Sequence, residues 1–172
     1  MATAFRPGFT EIQSILDPLF TYNWNVLFPT IPGSDDTREL SYKAISSEIP
    51  SSQIEQVPLE TKGIKLNFAG RRMYTGTWQV TFVETRTAST RDKFLKWQDI
   101  ARSIVTNSGS YKSLYAVTAE LQLFDDVPNL VRSIRLLGCF PTEVGTATLD
   151  QSSSIVQYAC TFSFDIPEES TE

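Results

Sequence analysis

The chain contains no histidine. That removes the commonest general base, the commonest zinc and iron ligand and the usual switch near neutral pH. Cysteine is scarce as well. Cys139 and Cys160 are the only two; they lack C-x-x-C spacing and suggest no disulfide framework. Cys160 falls on the apolar side of an alternating stretch and reads as a small buried hydrophobe. Basic residues fall short of acidic ones, 15 Lys and Arg against 20 Asp and Glu, a formal charge of −5. A dedicated nucleic-acid binder is normally basic, so that class is disfavoured. An acidic surface still tolerates DNA passing close by, because it repels phosphates and does not trap them. No apolar run approaches membrane-spanning length. Phe5-Arg6-Pro7-Gly8 interrupts the start, so no signal peptide is expected and a reducing cytosol is the expected place of synthesis.

Catalytic chemistry is thin. Asp35-Asp36 and Asp125-Asp126 are paired carboxylates, but each lies beside Pro in a turn sequence, where Asp is a turn former. A catalytic pair would need burial to split its pKa values. Arg71-Arg72 could clamp a phosphate, although a solvated strand end or an ion pair with a neighbouring subunit explains it more simply. Gly63, Gly70 and Gly76 lack dinucleotide or P-loop spacing, and no G-x-S-x-G or H-E-x-x-H appears. Ser and Thr have no histidine to activate them. No enzymatic activity, cofactor or metal is expected.

What the chain does have is alternation. Its 172 residues, 41% apolar, suit a single domain over 1–172 with a real core. Residues 1–17 read as an N-terminal arm with Phe5 and Phe9 as candidate anchors. Phe20, Tyr22, Trp24, Val26 and Phe28 share one face of a first strand ending at Pro29. Glu39 to Ile45 reads as a second, weaker strand. The polar, Ser- and Gln-rich stretch 46–58, bounded by Pro50 and Pro58, reads as a long loop or extended hairpin, a length that tends to be functional. Its apolar residues Ile49, Ile54 and Val57 are candidate subunit contacts.

Ile64, Leu66 and Phe68 mark a third strand closed by Gly70-Arg71-Arg72; Trp78, Val80 and Phe82 mark a fourth. Ser89 with Asp92 forms an acidic capping box ahead of a helical stripe of Phe94, Trp97, Ile100, Ala101 and Ile104, stopped by Asn107-Ser108-Gly109. Tyr115 to Leu123 and Leu130 to Leu137 give two more strands. Pro141 to Gly145 reads as a turn. One long strand then runs from Ile155 to Ile166, with Val156, Tyr158, Cys160, Phe162, Phe164 and Ile166 on its apolar side. Residues 167–172 read as a frayed acidic tail. Six to seven strands joined by turns, with one helix, imply an antiparallel β-sandwich or barrel flanked by that helix.

Several strands present Thr, Ser, Asn or Gln opposite the core: Thr77, Gln79 and Thr81 on one, Thr161, Ser163 and Asp165 on another. Ordinary solvent exposure accounts for such a pattern. So does a shared surface built by several copies, since cyclic repetition removes the free edges of a sheet.

Trp78-x-Val80, Arg91-Asp92-Lys93-Phe94-x-x-Trp97 and Leu137-Gly138-x-x-Pro141-Thr142-x-Val144-Gly145, followed by the last alternating strand, occur in an order that resembles the tail tube proteins of contractile-tailed, T-even-type bacteriophages. The resemblance covers roughly residues 62–165. It implies a non-enzymatic, ring-forming subunit of the virion, assembled in the host cytoplasm, whose hexameric rings stack into a hollow tube. It also implies a sheath around that tube, a baseplate tube initiator, a tape measure protein in the lumen, and double-stranded DNA passing without specific binding. Thr77, Gln79, Thr81, Thr161, Ser163 and Asp165 are then candidates for the lumen, and Phe5, Phe9, Ile49, Ile54 and Val57 for contacts within or between rings. Two alternatives remain: the inner tube of a type VI or extracellular injection system, and a monomeric ligand-binding β-sandwich, which would group exposed aromatics on one concave face.

Overall fold

The computed structural model describes residues 19–34, 36–127, 129–147, 149–151 and 153–171. Strands β1 (Trp24–Leu27), β2 (Ala44–Ser47), β3 (Ser52–Thr61), β4 (Ile64–Tyr74), β5 (Thr77–Val83), β6 (Val117–Phe124), β7 (Leu130–Val144), β8 (Gln157–Ser163) and β9 (Ile166–Thr171) are interrupted by helices α1 (Arg38–Lys43), α2 (Ser89–Ala101) and α3 (Lys112–Tyr115). Seven strands follow the order β1-β6-β7-β8-β5-β2 with β9 joined to β7, while β3 and β4 form a two-stranded sheet of their own. All registered pairs are antiparallel. The mainly β, antiparallel class expected from the alternation is the class observed. The described residues hold nine strands and three helices, more of both than the pattern suggested.

The long strand β7 makes two layers from one chain of hydrogen bonds. Its first part lies between β6 and β9; its second, from Phe140, pairs with β8. The changeover falls at Gly138, whose φ of +71° is readily available only to glycine. A Cβ there would also collide with the Asp165 carboxylate. The fold thus has a β1-β6-β7-β9 layer and a β2-β5-β8 layer completed by the end of β7. Between them lie Val26, Leu121, Ile134 and Leu136 from the first layer and Trp78, Val80, Phe82, Cys160 and Phe162 from the second, all essentially inaccessible. Helix α2 contributes Phe94 and Trp97 to the same core.

Several local expectations need correction. Glu39 to Ile45 is a short helix followed by β2, with Leu40 buried beneath it. Pro141 to Val144 continues β7 and does not turn; proline is tolerated because this half of β7 pairs with β8 alone and so is a sheet edge. The last strand breaks at Phe164–Asp165, so Ile166 opens β9 and is exposed. Residues 167–171 of the supposed frayed tail belong to that strand, tied to β7 by register and by Arg132–Glu169 and Arg135–Glu168 ion pairs. Helix α2 ends at Ala101, and Ile104 stands outside it, 92% exposed.

The helix start differs too. Ser89 and Asp92 make no side-chain cap; Ala88 occupies the N-cap position with φ of 51°. Glu84 takes that role. Its carboxylate accepts from the backbone N–H of Thr85, Thr90 and Arg91 at 2.9, 3.1 and 3.0 Å, satisfying free donors of the first turn. Burial alone would raise the Glu84 pKa, but these donors outweigh it and hold the group below its ordinary value. A carboxyl depressed by folding contributes stability above its unfolded pKa and loses it as pH falls through the folded one. Glu84→Gln should therefore cost about 1–2 kcal/mol at neutral pH, as a lost cap does. It should also flatten the acid side of the stability–pH curve, checked by urea unfolding across the carboxylate range.

Candidate assembly surfaces

Two surfaces have a composition that the fold itself does not require. The first is the β3–β4 hairpin. Every residue of β3 is exposed, and on β4 only Gly70 and Tyr74 are partly covered. Of the stretch 46–58 read as a loop or extended hairpin, residues 52–58 belong to this hairpin, which continues to Tyr74, whereas Ser46 and Ser47 end β2. Register pairs Val57 with Phe68, Leu59 with Leu66 and Thr61 with Ile64. Directly opposed residues share a face in an antiparallel pair, so Val57, Leu59, Ile64, Leu66 and Phe68 form one apolar side. Each of the five is between 44% and 61% exposed. Gln56, Pro58, Glu60, Lys65, Asn67 and Ala69 make up the opposite side by the same register.

Three β4 steps match two on β3 between Arg72 and Ala69. The bulge is thus on β4, at Gly70, where a Cβ would press on Glu55 and Val57 at 3.0 Å. β3 keeps its alternation, so Ile54 and Val57, separated by an odd number of residues, project from opposite faces. They cannot belong to one flat contact. Arg72 does not reach out as a phosphate clamp: it lies 5.5 Å over the Tyr74 ring and donates to Ser52 Oγ.

The second surface is the outer face of the β2-β5-β8 layer. Thr77 faces Ser163, Gln79 faces Thr161 and Thr81 faces Ala159; Ser46 lies opposite Thr81 and Glu143 opposite Thr161. Five of the six candidate lumenal residues therefore come together on one face. Asp165 does not join them. It follows the end of β8 and accepts a hydrogen bond from Lys112 Nζ at 2.5 Å. No lysine or arginine occurs in β2, β5, β8 or residues 140–144, and Glu143 is the one acid among them.

The remaining candidates fall elsewhere. Phe5, Phe9 and Asp35 lie outside the described residues. Ile49 is exposed and lines a hollow of about 280 Å³ with Leu19, Phe20, Trp24, Leu121 and Leu123. Phe20 and Tyr22, assigned to a strand core, sit on the surface before β1 and stack on each other at 5.3 Å. Asp125 and Asp126 are exposed in a turn, where Asp126 accepts from Tyr22 Oη and Asn23 Nδ2. Both thiols are buried, and burial pushes them up, Cys160 to about 12. Among the described residues no cluster of potential metal ligands occurs. The residues that sequence reasoning missed are Leu59, Ile64, Leu66 and Phe68 as an exposed set. Their alternation was visible, but alternation does not show whether a face is covered.

No protein-family model matches the chain. Its sequence is 26% identical to the tail tube protein gp19 of Enterobacteria phage T4 over 119 residues, 68% of this chain and 72% of that protein. It is 26% identical to the tail tube protein of Serratia phage KSP90 over 145 residues, 81% of each. In fold it resembles the sheath/tube terminator of an extracellular contractile injection system, PVC, with a TM-score of 0.66, 14% identity and coverage of 92% of this chain and all of that one. A chain of the extended PVC sheath–tube complex gives a TM-score of 0.61 at 13% identity, covering 97% of this chain and all of that one. The expected resemblance holds: the chain is similar in sequence to tail tube proteins of contractile-tailed phages and in fold to subunits of a contractile injection system.

Proposed function

We propose that copies of this chain close into hexameric rings that stack into the hollow inner tube of a phage tail, and that this tube conducts the genome into the host cell. The observation that carries the reading is the uncovered apolar side of the β3–β4 hairpin. A monomer gains nothing from holding five large apolar side chains half in water, whereas a contiguous exposed apolar patch is the mark of an interaction surface. The outer face of the β2-β5-β8 layer, with Glu143 and no basic residue, supports the second half of the reading. A bore lined by Thr, Ser, Gln and Glu143, without lysine or arginine, offers phosphates no site at which to stop.

In this arrangement the sheath encloses the tube, a baseplate initiator starts it and a tape measure protein occupies its lumen before DNA does. The protein therefore resides in the virion tail after assembly in the host cytoplasm. An injection-system tube with protein cargo would use the same subunit physics. The sequence likeness to phage tail tube proteins favours DNA.

Electron microscopy of the purified protein tests this reading, with rings or tubes as the expected result and monodisperse monomers as the opposing one. Val57→Asp should prevent assembly or raise the concentration it requires by roughly 10–100-fold, as expected for about 1.5–3 kcal/mol of lost apolar burial. Ile54→Asp, on the other face, should cost less than Val57→Asp. Equal effects on sedimentation would show that the two hairpin faces are not functionally distinct.

A further inference from the structure

The hairpin needs a receiving surface, and the distribution of charge identifies one. Ser52–Tyr74 carries Lys62, Lys65, Arg71 and Arg72 against Glu55 and Glu60, a net charge of +2 in a chain of −5. It is a basic arm on an acidic body. Among the described residues, two apolar-lined hollows on that body stand out. The one beside the end of α2 includes Leu95, Ile100, Ile104 and Val105, but Lys96 and Arg102 outnumber Asp99 at its margin. A basic hairpin would meet like charge there.

The other hollow is lined by Leu19, Phe20, Trp24, Ile49, Leu121 and Leu123. The segments that build it and its rim, residues 19–27, 44–51 and 117–127, bring Glu48, Asp125 and Asp126 and no lysine or arginine to it; Glu120 alternates with Leu121 onto the other face of β6, and Arg132, the register partner of Leu123, is paired with Glu169. Asp126 is held at the rim by Tyr22 and Asn23. Phe20 and Ile49 remain 41% and 57% exposed, so among the described residues this apolar floor lacks a cover, as the hairpin does.

We propose that this hollow is a socket that receives the apolar side of the β3–β4 hairpin from a second copy of the chain. The proposal rests on the tube reading and names the partner surface within it. Opposite charge at the rim adds attraction and orientation to apolar burial. The contact is also directional. Each chain offers a hairpin at one place and a socket at another, and such head-to-tail contacts build rings or open filaments, not isolated pairs. The hairpin of each copy leaves the body at Ser52, directly after the rim segment 44–51. One protomer's socket therefore sits at the root of the hairpin that it extends to the next.

Directionality makes the test selective. Phe68→Asp removes the hairpin's apolar contact, with Leu66→Asp as a second hairpin variant; Phe20→Asp combined with Ile49→Asp removes the socket. All four positions are exposed, so circular dichroism should show unchanged folds. Each altered protein alone should need at least a tenfold higher concentration to assemble than the unaltered chain. An equimolar mixture of hairpin and socket variants, carrying different tags, should form mixed pairs in native mass spectrometry, because one intact hairpin and one intact socket remain. Assembly of any variant at the normal concentration, or a mixture without mixed pairs, overturns the socket while leaving the tube reading in place. An unaltered protein that stays monomeric at every concentration rejects the tube reading and the socket together.

Discussion

Phe162→Ala should lower the free energy of unfolding by about 3–5 kcal/mol, the range for an aromatic truncated in a closed core. The position justifies the upper part of that range. Phe162 is fully buried, and its ring lies 5.4 Å from both Phe28 and Trp78, 5.6 Å from Phe94 and 6.1 Å from Trp97. Those partners come from the end of the β1 segment, from β5 and from α2. One side chain thus joins strand, opposite layer and helix. Removing it leaves a void whose walls are large rings held by their own neighbours, which limits collapse. Against a typical total of roughly 5–15 kcal/mol, the loss would lower the melting temperature by roughly 6–20 °C for a chain of this size. Urea unfolding followed by tryptophan fluorescence measures it. Thr77→Ala, on the exposed face of the neighbouring strand, should stay within about 0.5 kcal/mol. A loss below about 1 kcal/mol at Phe162 would mean that the aromatic cluster is not what holds the layers together.

That cluster was legible in the sequence, because a strand with one wet and one dry face writes its geometry as a period of two. Trp78, Val80 and Phe82 opposite Thr77, Gln79 and Thr81 is such a case, and Phe94 with Trp97 declared the helix. What stayed illegible depends on partners distant in the chain. Glu168 and Glu169 look like a solvated tail until Arg135 and Arg132 of β7 are placed beside them. The α2 cap comes from Glu84, outside the Ser89–Asp92 pattern, because Ala88 adopts a left-handed conformation that sets the helix start elsewhere. α1, at six residues, is too short to display a helical period, so Leu40 passed for a strand residue, while Ile45 does lie in β2. The apolar hairpin face is the most instructive case. Ile64, Leu66 and Phe68 show the alternation of a core strand, and the chain folds them as one, but among the described residues nothing covers them.

The face of the β2-β5-β8 layer that lacks basic residues yields the other large effect, in the assembled particle. Gln79→Lys combined with Thr161→Lys should leave tubes intact yet slow genome ejection at least tenfold at low salt. The two residues face each other in register on a layer whose strands hold no basic residue, so the change introduces a sign of charge absent from it. In the proposed hexameric rings every substitution would be repeated around the bore and again in every ring. Each ammonium that meets a phosphate releases a condensed counterion, and binding gained this way weakens steeply as salt rises. The delay should therefore fade as ionic strength increases, because added salt shortens the reach of the new charges. Gln79→Ser with Thr161→Ser, which keeps the face polar and adds no charge, should eject at the normal rate. Ejection measured by fluorescence of a DNA dye, with tube integrity checked by microscopy, separates the outcomes. Intact tubes and unchanged kinetics in the lysine variant would put this face on the outside of the wall and leave the bore to another surface.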